Sequence, residues 1–236
     1  MKLSIIIPVF NEENTIEQII EKVEQVKIPN VSKEIIIVND ASTDATSKKL
    51  TRLAKKFDNL TILHHEKNQG KGAGVQTALT KVTGEYIIMQ DADLEYNPKD
   101  IQKLLSHVKT GSEIVYGTRL KRMPHLTKEE RSLQFLLHYV GNRFLSLVTS
   151  ILYGQWLTDM ETCYKLFPKK AVVFPLQSKG FAFEPEITAK FLKNGFVISE
   201  VAISTSPRSY KEGKKLHTVR DGVSALWTLI KYRFSQ

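Results

Sequence analysis

Cysteine is almost absent from this chain. One residue, Cys163, stands in 236, so no internal disulfide forms and no thiolate zinc cluster is available. That usage suits a reducing, cytoplasmic compartment. Long apolar runs are missing too. The most apolar stretch, Leu133 to Tyr153, is interrupted by Gln134, His138, Asn142 and Arg143, whereas a membrane-spanning helix needs about 20 predominantly apolar residues. The amino terminus enters a strand pattern at Leu3 without a signal-peptide profile. Acidic residues are in deficit, 25 against 34 basic, for a formal charge of +9. Residues 207–236 hold seven Lys or Arg and two Asp or Glu. Such an excess favours anionic partners: nucleotides, phosphates or acidic lipid. Nucleic acid would also answer the charge, but no nucleic-acid motif or RNP-type aromatic pair is present, so it is not expected. Without repeats, low-complexity segments or linkers, the chain is expected to form one domain over 1–236.

What is present is an alternation of strand and helix patterns. Leu3–Phe10 is a β-branched run stopped near Pro8, and Asn11–Asn14 starts a helix with Ile16, Ile19, Ile20 and Val23 at helical spacing. Glu34–Asp40 is a second strand, followed by Ala41-Ser42-Thr43-Asp44, good capping chemistry for a helix through Leu50 and Phe57. Leu60–His65, Tyr86–Gln90 and Glu113–Thr118 are three further strands. Between them lie helices carrying Val75, Ala78, Leu79 and Val82, then Pro98–Val108. This order predicts an α/β fold with a doubly wound, mostly parallel sheet. The second half reads differently. Residues 127–152 form a long helical pattern, expected to break near Gly141; Thr162–Phe167 and Phe196–Ile203 read as strands, and Leu216–Phe234 as an amphipathic helix.

Parallel α/β sheets place their ligands at the carboxyl ends of the strands. There the fourth strand runs into Asp91, Asp93 and Glu95. Two readings fit: carboxylates gathered on a hard divalent cation, or a solvated turn capping the next helix, since Asn97-Pro98 follows. Asp40, at the end of the second strand, suits either a nucleoside hydrogen bond or a helix cap. Gly70-Lys71-Gly72 offers backbone N–H groups and a cation, yet it matches neither a Walker loop nor a dinucleotide fingerprint; a plain surface loop is the alternative. His64 and His65 are neighbours on a strand, face opposite sides and read as structural. Cys163 reads as a packed thiol.

Taken together, Pro8-Val9-Phe10-Asn11-Glu12-Glu13, Asn39-Asp40-Ala41-Ser42-Thr43-Asp44, Gly70-Lys71-Gly72, Asp91-Ala92-Asp93 and Gly117-Thr118-Arg119 resemble the family 2 glycosyltransferases of GT-A fold. In the second half, Thr158-Asp159-Met160-Glu161-Thr162-Cys163-Tyr164-Lys165, Phe181-Ala182-Phe183-Glu184 and Arg208-Ser209-Tyr210-Lys211-Glu212-Gly213-Lys214 resemble the branch of dolichyl-phosphate mannose synthases and related polyprenyl-phosphate sugar synthases. The resemblance implies a nucleotide-sugar-binding half (1–120), an acceptor-binding half (121–236) and an inverting transfer of a hexose to a polyprenyl phosphate. The implied donors are GDP-mannose, UDP-glucose or a UDP-N-acetylhexosamine. Pro8, Phe10, Glu12, Val38 and Asp40 would hold the nucleoside, with Lys71 nearby. Asp91, Ala92 and Asp93 would lie under the diphosphate, with Mg²⁺ or Mn²⁺ on Asp93 and Glu95 and Asp91 completing the acidic set. Arg119, Arg208 and Lys214 would gather the donor and acceptor phosphates. An anionic acceptor needs positioning more than deprotonation, so Asp159 is expected to orient sugar hydroxyls or Arg119. A sugar-hydroxyl acceptor would instead need a general base at Asp159 or Glu161.

The apolar residues between Leu133 and Leu152, and the basic terminal helix with Trp227, Lys231, Tyr232 and Arg233, fit helices lying in a membrane interface. They fit equally a helix pair on the sheet or a homodimer contact. Peripheral attachment at the cytoplasmic face of a membrane is the expectation. Arg143 reads as a snorkelling side chain, and Arg131 as a surface charge or an acceptor-phosphate contact.

Overall fold

A computed structural model describes residues 1–120, 133–206 and 218–235. Seven strands, β1 (Lys2–Val9), β2 (Ser32–Asn39), β3 (Leu60–His64), β4 (Tyr86–Met89), β5 (Ile114–Thr118), β6 (Lys165–Pro168) and β7 (Ile198–Ala202), form one sheet. Its order is β3-β2-β1-β4-β6-β5-β7. Only β6 runs antiparallel to its neighbours β4 and β5. The helices are α1 (Ile16–Gln25), α2 (Thr46–Ala54), α3 (Lys71–Leu79), α4 (Ile101–Lys109), α5 (Leu133–Tyr153), α6 (Phe183–Lys193) and α7 (Thr218–Phe234). In β1, Leu3, Ile5, Ile6 and Ile7 are all fully buried, as a central strand covered on both faces requires.

Two features of this topology place the site. The chain winds outward from β1 through β2 to β3 and then returns to lay β4 against the other side of β1, which makes a switch point between β1 and β4. Because β6 is antiparallel, the segment that enters it arrives at the edge where β4 and β5 leave. With Ile88 opposite Leu166, residues 158–164 run back over the end of β4.

Three sequence expectations change. The helix expected to break at Gly141 is continuous from Leu133 to Tyr153; a glycine inside a helix costs only about 1 kcal/mol, and packing against α7 outweighs it. A helix that the sequence pattern did not disclose, α6, is buried at every position from Phe183 to Phe191, so it lacks the polar stripe that marks an amphipathic helix. The helix expected through Phe57 ends at Ala54.

Candidate active site

The ends of β1 and β2 are stitched into one shelf. The Asn11 backbone N–H donates to Ser42 Oγ at 3.0 Å, Glu12 N to Thr46 Oγ1 at 2.9 Å and Glu13 N to Asp44 Oδ2 at 3.1 Å. In return Thr43 N donates to Asn11 Oδ1 at 2.8 Å and Ala45 N to Glu13 Oε2 at 2.9 Å. Asn11, Ala41 and Leu94 hold positive φ angles of 50°, 58° and 65°, costing roughly 1–3 kcal/mol each. All three stand just past a strand end of this edge, where backbone strain commonly marks a functional site. Phe10 and Pro8 are partly exposed here. Glu12 is buried and accepts from Thr15 Oγ1 at 2.7 Å. Val38 is fully buried, close under Gly74 of α3; its side chain forms the floor and is closed to a ligand, contrary to the expected nucleoside contact.

Asp40 is already engaged. Its Oδ1 accepts from Gln69 N at 2.9 Å and lies 2.7 Å from His65 Nδ1, while Oδ2 accepts from Gly70 N at 2.7 Å. His65 Nε2 meets Thr77 Oγ1 at 2.8 Å, and His64 Nδ1 meets Asn39 Nδ2 at 3.3 Å. Both histidines are structural. Asp40 thus anchors the glycine loop whatever else it touches.

The glycine loop is neither an open row of backbone N–H groups nor a plain surface loop, the two readings that its sequence left open. Gly70 N is spent on Asp40, and Ala73 N donates to Lys179 O at 2.9 Å. A Cβ on Gly72 would come within 2.2 Å of Ser178 O. The glycines therefore let α3 dock against residues 178–183, and that docking aims Lys71 inward. Its Nζ lies 2.8 Å from Asp91 Oδ1 and 3.0 Å from Glu184 Oε1. Glu184 Oε2 in turn accepts from the fully buried Lys165 at 2.6 Å. Lys165 also donates to Met160 O at 2.9 Å and to Thr162 O. Burial pushes the Asp91 carboxyl up, but the Lys71 ammonium and a hydrogen bond from the Cys163 thiol outweigh it and hold it below its ordinary value. Burial likewise opposes charge on Lys71, and Asp91 and Glu184 keep it protonated.

A second ion pair closes the other side. Arg119, just past β5, donates from Nε to Asp159 Oδ2 and from Nη2 to Asp159 Oδ1, each at 2.8 Å. Its backbone N–H also donates to Oδ2 at 2.8 Å, and Asn142 Nδ2 to Oδ1 at 2.9 Å. The guanidinium lies 5.8 Å from the centre of the Tyr96 ring. Glu200 on β7 supports this turn by accepting from Thr158 N and Asp159 N at about 3.0 Å. Arg143 does not snorkel: it donates to Leu120 O at 2.5 Å and ties α5 to the chain just after Arg119. Arg131, Arg208 and Lys214 lie outside the described residues.

Asp93 and Glu95 are partly exposed at the end of β4, joined by a hydrogen bond from Glu95 N to Asp93 Oδ1 at 3.1 Å. Among the described residues no three His, Cys, Asp or Glu side chains gather as a metal site. The expected trio of Asp91, Asp93 and Glu95 is therefore not assembled, because Asp91 is drawn onto Lys71. Two carboxylates still suit a hard cation, since Mg²⁺ is usually held by one or two carboxylates plus substrate phosphates. The helix-cap reading also holds in part: Asn97 Oδ1 accepts from Lys99 N at 3.1 Å.

Sequence reasoning left Lys165, Glu184, Tyr96, Asn142 and Glu200 without roles. For the first two a signal existed: a lone charge in an apolar run, Cys163-Tyr164-Lys165-Leu166-Phe167 and Phe181-Ala182-Phe183-Glu184-Pro185, marks a buried charge that must find a partner.

Comparison with known proteins agrees with this geometry. The family model for glycosyl transferase family 2 matches residues 4–172. A dolichyl-phosphate beta-glucosyltransferase of Trichomonas vaginalis is 29% identical over 215 residues, covering 85% of this chain and 64% of that protein. A dolichol-phosphate mannosyltransferase of Pyrococcus furiosus is 31% identical over 119 residues, 50% of this chain and 33% of that protein. The chain thus spans less than two thirds of either relative's length. Glucosyl-3-phosphoglycerate synthase of Mycobacterium tuberculosis, solved with Mn²⁺, UDP and phosphoglyceric acid, superimposes with a TM-score of 0.73 at 16% identity, covering 100% of this chain and 79% of its own. That likeness extends the GT-A fold to the whole chain. A family model that covers most of the chain, on a fold with the acidic strand end and switch-point crevice described above, places this protein in glycosyl transferase family 2.

Proposed function

We propose that this glycosyltransferase moves a hexose from a nucleotide sugar to a polyprenyl phosphate, with inversion at the anomeric carbon. The observation that carries the reading is the Arg119–Asp159 pair. Asp159 is fully buried and its two oxygens already take four donors, so it serves as an orienting group rather than a base. What it orients is a planar guanidinium, the group best suited to a phosphate. A phosphate acceptor is already an anion and needs only to be held in line with the anomeric carbon. The names of the two dolichol-linked relatives favour the same acceptor class.

Donor binding follows from the shelf. Phe10, Glu12 and Asp40 border the nucleoside, with Pro8 and Val38 as the floor. Asp91-Ala92-Asp93 underlies the diphosphate, and Lys71 is held beside it. Mg²⁺ or Mn²⁺ on Asp93 and Glu95 would offset the negative charge that develops on the leaving diphosphate; the UDP complexes of the structural neighbour with Mn²⁺ and Mg²⁺ support that choice. Arg208 and Lys214 would join Arg119 at the phosphates. A lipid acceptor also needs the site to meet a bilayer, and exposed apolar side chains on α5 and α7 suit peripheral contact.

One observation favours a second reading, transfer to a sugar hydroxyl. Glu161 carries a carboxylate oxygen without a hydrogen-bond partner, and a hydroxyl acceptor needs a base. The deciding assay offers radiolabelled GDP-mannose, UDP-glucose and UDP-N-acetylglucosamine to a short polyprenyl phosphate in detergent with divalent metal. Label is expected in the organic phase from one donor and is lost with Asp93→Ala or with chelator. Nucleotide-sugar binding without lipid labelling overturns the phosphate acceptor.

A further inference from the structure

Buried polar atoms without partners are rare in folded proteins, and each calls for an explanation. Four side-chain oxygens qualify among the described residues: Glu24 Oε1, Glu161 Oε1, Thr162 Oγ1 and Glu184 Oε1. The last three share the floor of the active site. Glu184 Oε1 is accounted for by its ion pair with Lys71 at 3.0 Å, whose geometry falls outside a hydrogen bond. Glu161 has no such relief. An unpaired buried carboxylate oxygen is destabilising, which makes sense where a ligand supplies the missing donor.

The position of Glu161 says which donor. The segment entering β6 begins at Asp159, which holds Arg119, and ends at Cys163, whose thiol bonds Asp91. Glu161 stands midway between them. Asp91 marks the donor diphosphate in the proposed function, and Arg119 marks the acceptor phosphate. The hexose in transit must bridge these two anchors. The charges around Glu161 are Lys165 and Glu184 on one side of the site and Arg119 and Asp159 on the other, so it lies between the two buried ion pairs.

Resting on the reading of this site as a nucleotide-sugar transferase, we propose that Glu161 is a specificity-determining contact whose free Oε1 accepts a hydroxyl hydrogen of the donor hexose. The hexose supplies the hydrogen bond that the protein withholds. The electrostatic setting is consistent. Burial pushes the carboxyl up to about 7; Lys165 and Arg119 draw it down, while Glu184 and Asp159 push it further up. A hydroxyl donated to Oε1 favours the ionised form, so binding the sugar near pH 7 expels a fraction of a proton.

The test is isothermal titration of the full chain with UDP, GDP, UDP-glucose, UDP-N-acetylglucosamine and GDP-mannose, with Mg²⁺, near pH 7 in two buffers of different ionisation enthalpy. Wild type, Glu161→Gln and Glu161→Ala are compared. In Glu161→Ala, affinity for the preferred sugar nucleotide is expected to fall by about 10-fold or more, the worth of a hydrogen bond to a charged group. Affinity for the bare nucleotide stays unchanged. The proton released on sugar-nucleotide binding by wild type is expected to disappear in Glu161→Gln. Glu161→Gln also serves as the folding control, and its melting temperature is expected to match or exceed that of wild type, since no partner is lost. Unchanged sugar-nucleotide affinity and proton release in both variants overturns the proposal. So does Glu161→Gln that binds the donor normally but no longer turns over, the result for a base. Failure of wild type to bind any nucleotide overturns the functional reading and this contact with it; nucleotide binding without a Glu161 effect overturns the contact alone.

Discussion

Asp159 and Arg119 show how much of this site is decided by single side chains. The carboxylate has no exposed surface, and its ionised form survives because Arg119 and Asn142 outweigh the burial that would raise its pKa. Removing one member of such a pair strands the other, at a cost of about 3–5 kcal/mol. Asp159→Ala is therefore expected to lower unfolding stability by that amount in a denaturant titration, and to abolish transfer. The double substitution Asp159→Leu with Arg119→Met replaces the pair with apolar atoms and is expected to recover much of the stability while remaining inactive. A double variant as unstable as the single one would show that the pair is not the source of the loss. The sequence disclosed both residues as site candidates and left Asp159 to orient either sugar hydroxyls or Arg119; the choice was not legible, because 40 residues separate the two and only the antiparallel entry of β6 brings them together. Lys165 and Glu184 were hidden more deeply. Their pairing depends on α6, a helix without the polar periodicity that would announce it.

At the scale of elements, two glycines with similar local signatures do opposite things. Gly72 sits in the first turn of α3, where an added methyl would come within 2.2 Å of Ser178 O and 2.9 Å of Phe183 Cβ. Backbone cannot yield as a flexible side chain does, so Gly72→Ala is expected to cost about 1–3 kcal/mol through overpacking. It is also expected to weaken nucleotide binding by shifting Lys71 away from Asp91. Gly141 lies inside α5, and nothing stands within 4 Å of its would-be Cβ. Gly141→Ala is expected to stabilise the protein by about 0.4–1 kcal/mol. Thermal melts of the two variants check both signs; a destabilised Gly141→Ala would mean that α5 needs a weak point there. The strand ends in the first half were legible because each apolar run stops at a polar residue on the same sheet edge. The glycines were harder to read, because phosphate approach and close helix packing call for the same residue, and only the neighbouring backbone tells them apart.

At the scale of the molecule, most of the exposed large apolar residues among the described residues fall into two stripes. Leu137, Val140, Phe144, Leu147 and Ile151 recur every three or four residues along α5, as do Val223, Trp227, Ile230 and Phe234 along α7. The two helices pack together through Leu145, Ala225 and Leu229, and Tyr153 Oη donates to Leu229 O at 2.8 Å. No helix among the described residues is long and apolar enough to cross a membrane, so the stripes are suited to lie on a surface. A second copy and a bilayer are the two candidates, and charge separates them. A second copy would bring +9 against +9, whereas an anionic bilayer answers the exposed Arg220, Lys231 and Arg233 of α7. We therefore expect co-sedimentation with phosphatidylcholine vesicles that contain phosphatidylglycerol, weaker binding to phosphatidylcholine alone, and release at high salt. Burying one large apolar side chain is worth about 1.5–3 kcal/mol, so Phe144→Glu and Trp227→Glu should each lower partitioning by roughly 10-fold or more. Turnover on a soluble short-chain acceptor should stay unchanged, because neither side chain belongs to the site. If vesicles are ignored and light scattering instead finds a dimer that the same two substitutions dissociate, the face belongs to a second copy.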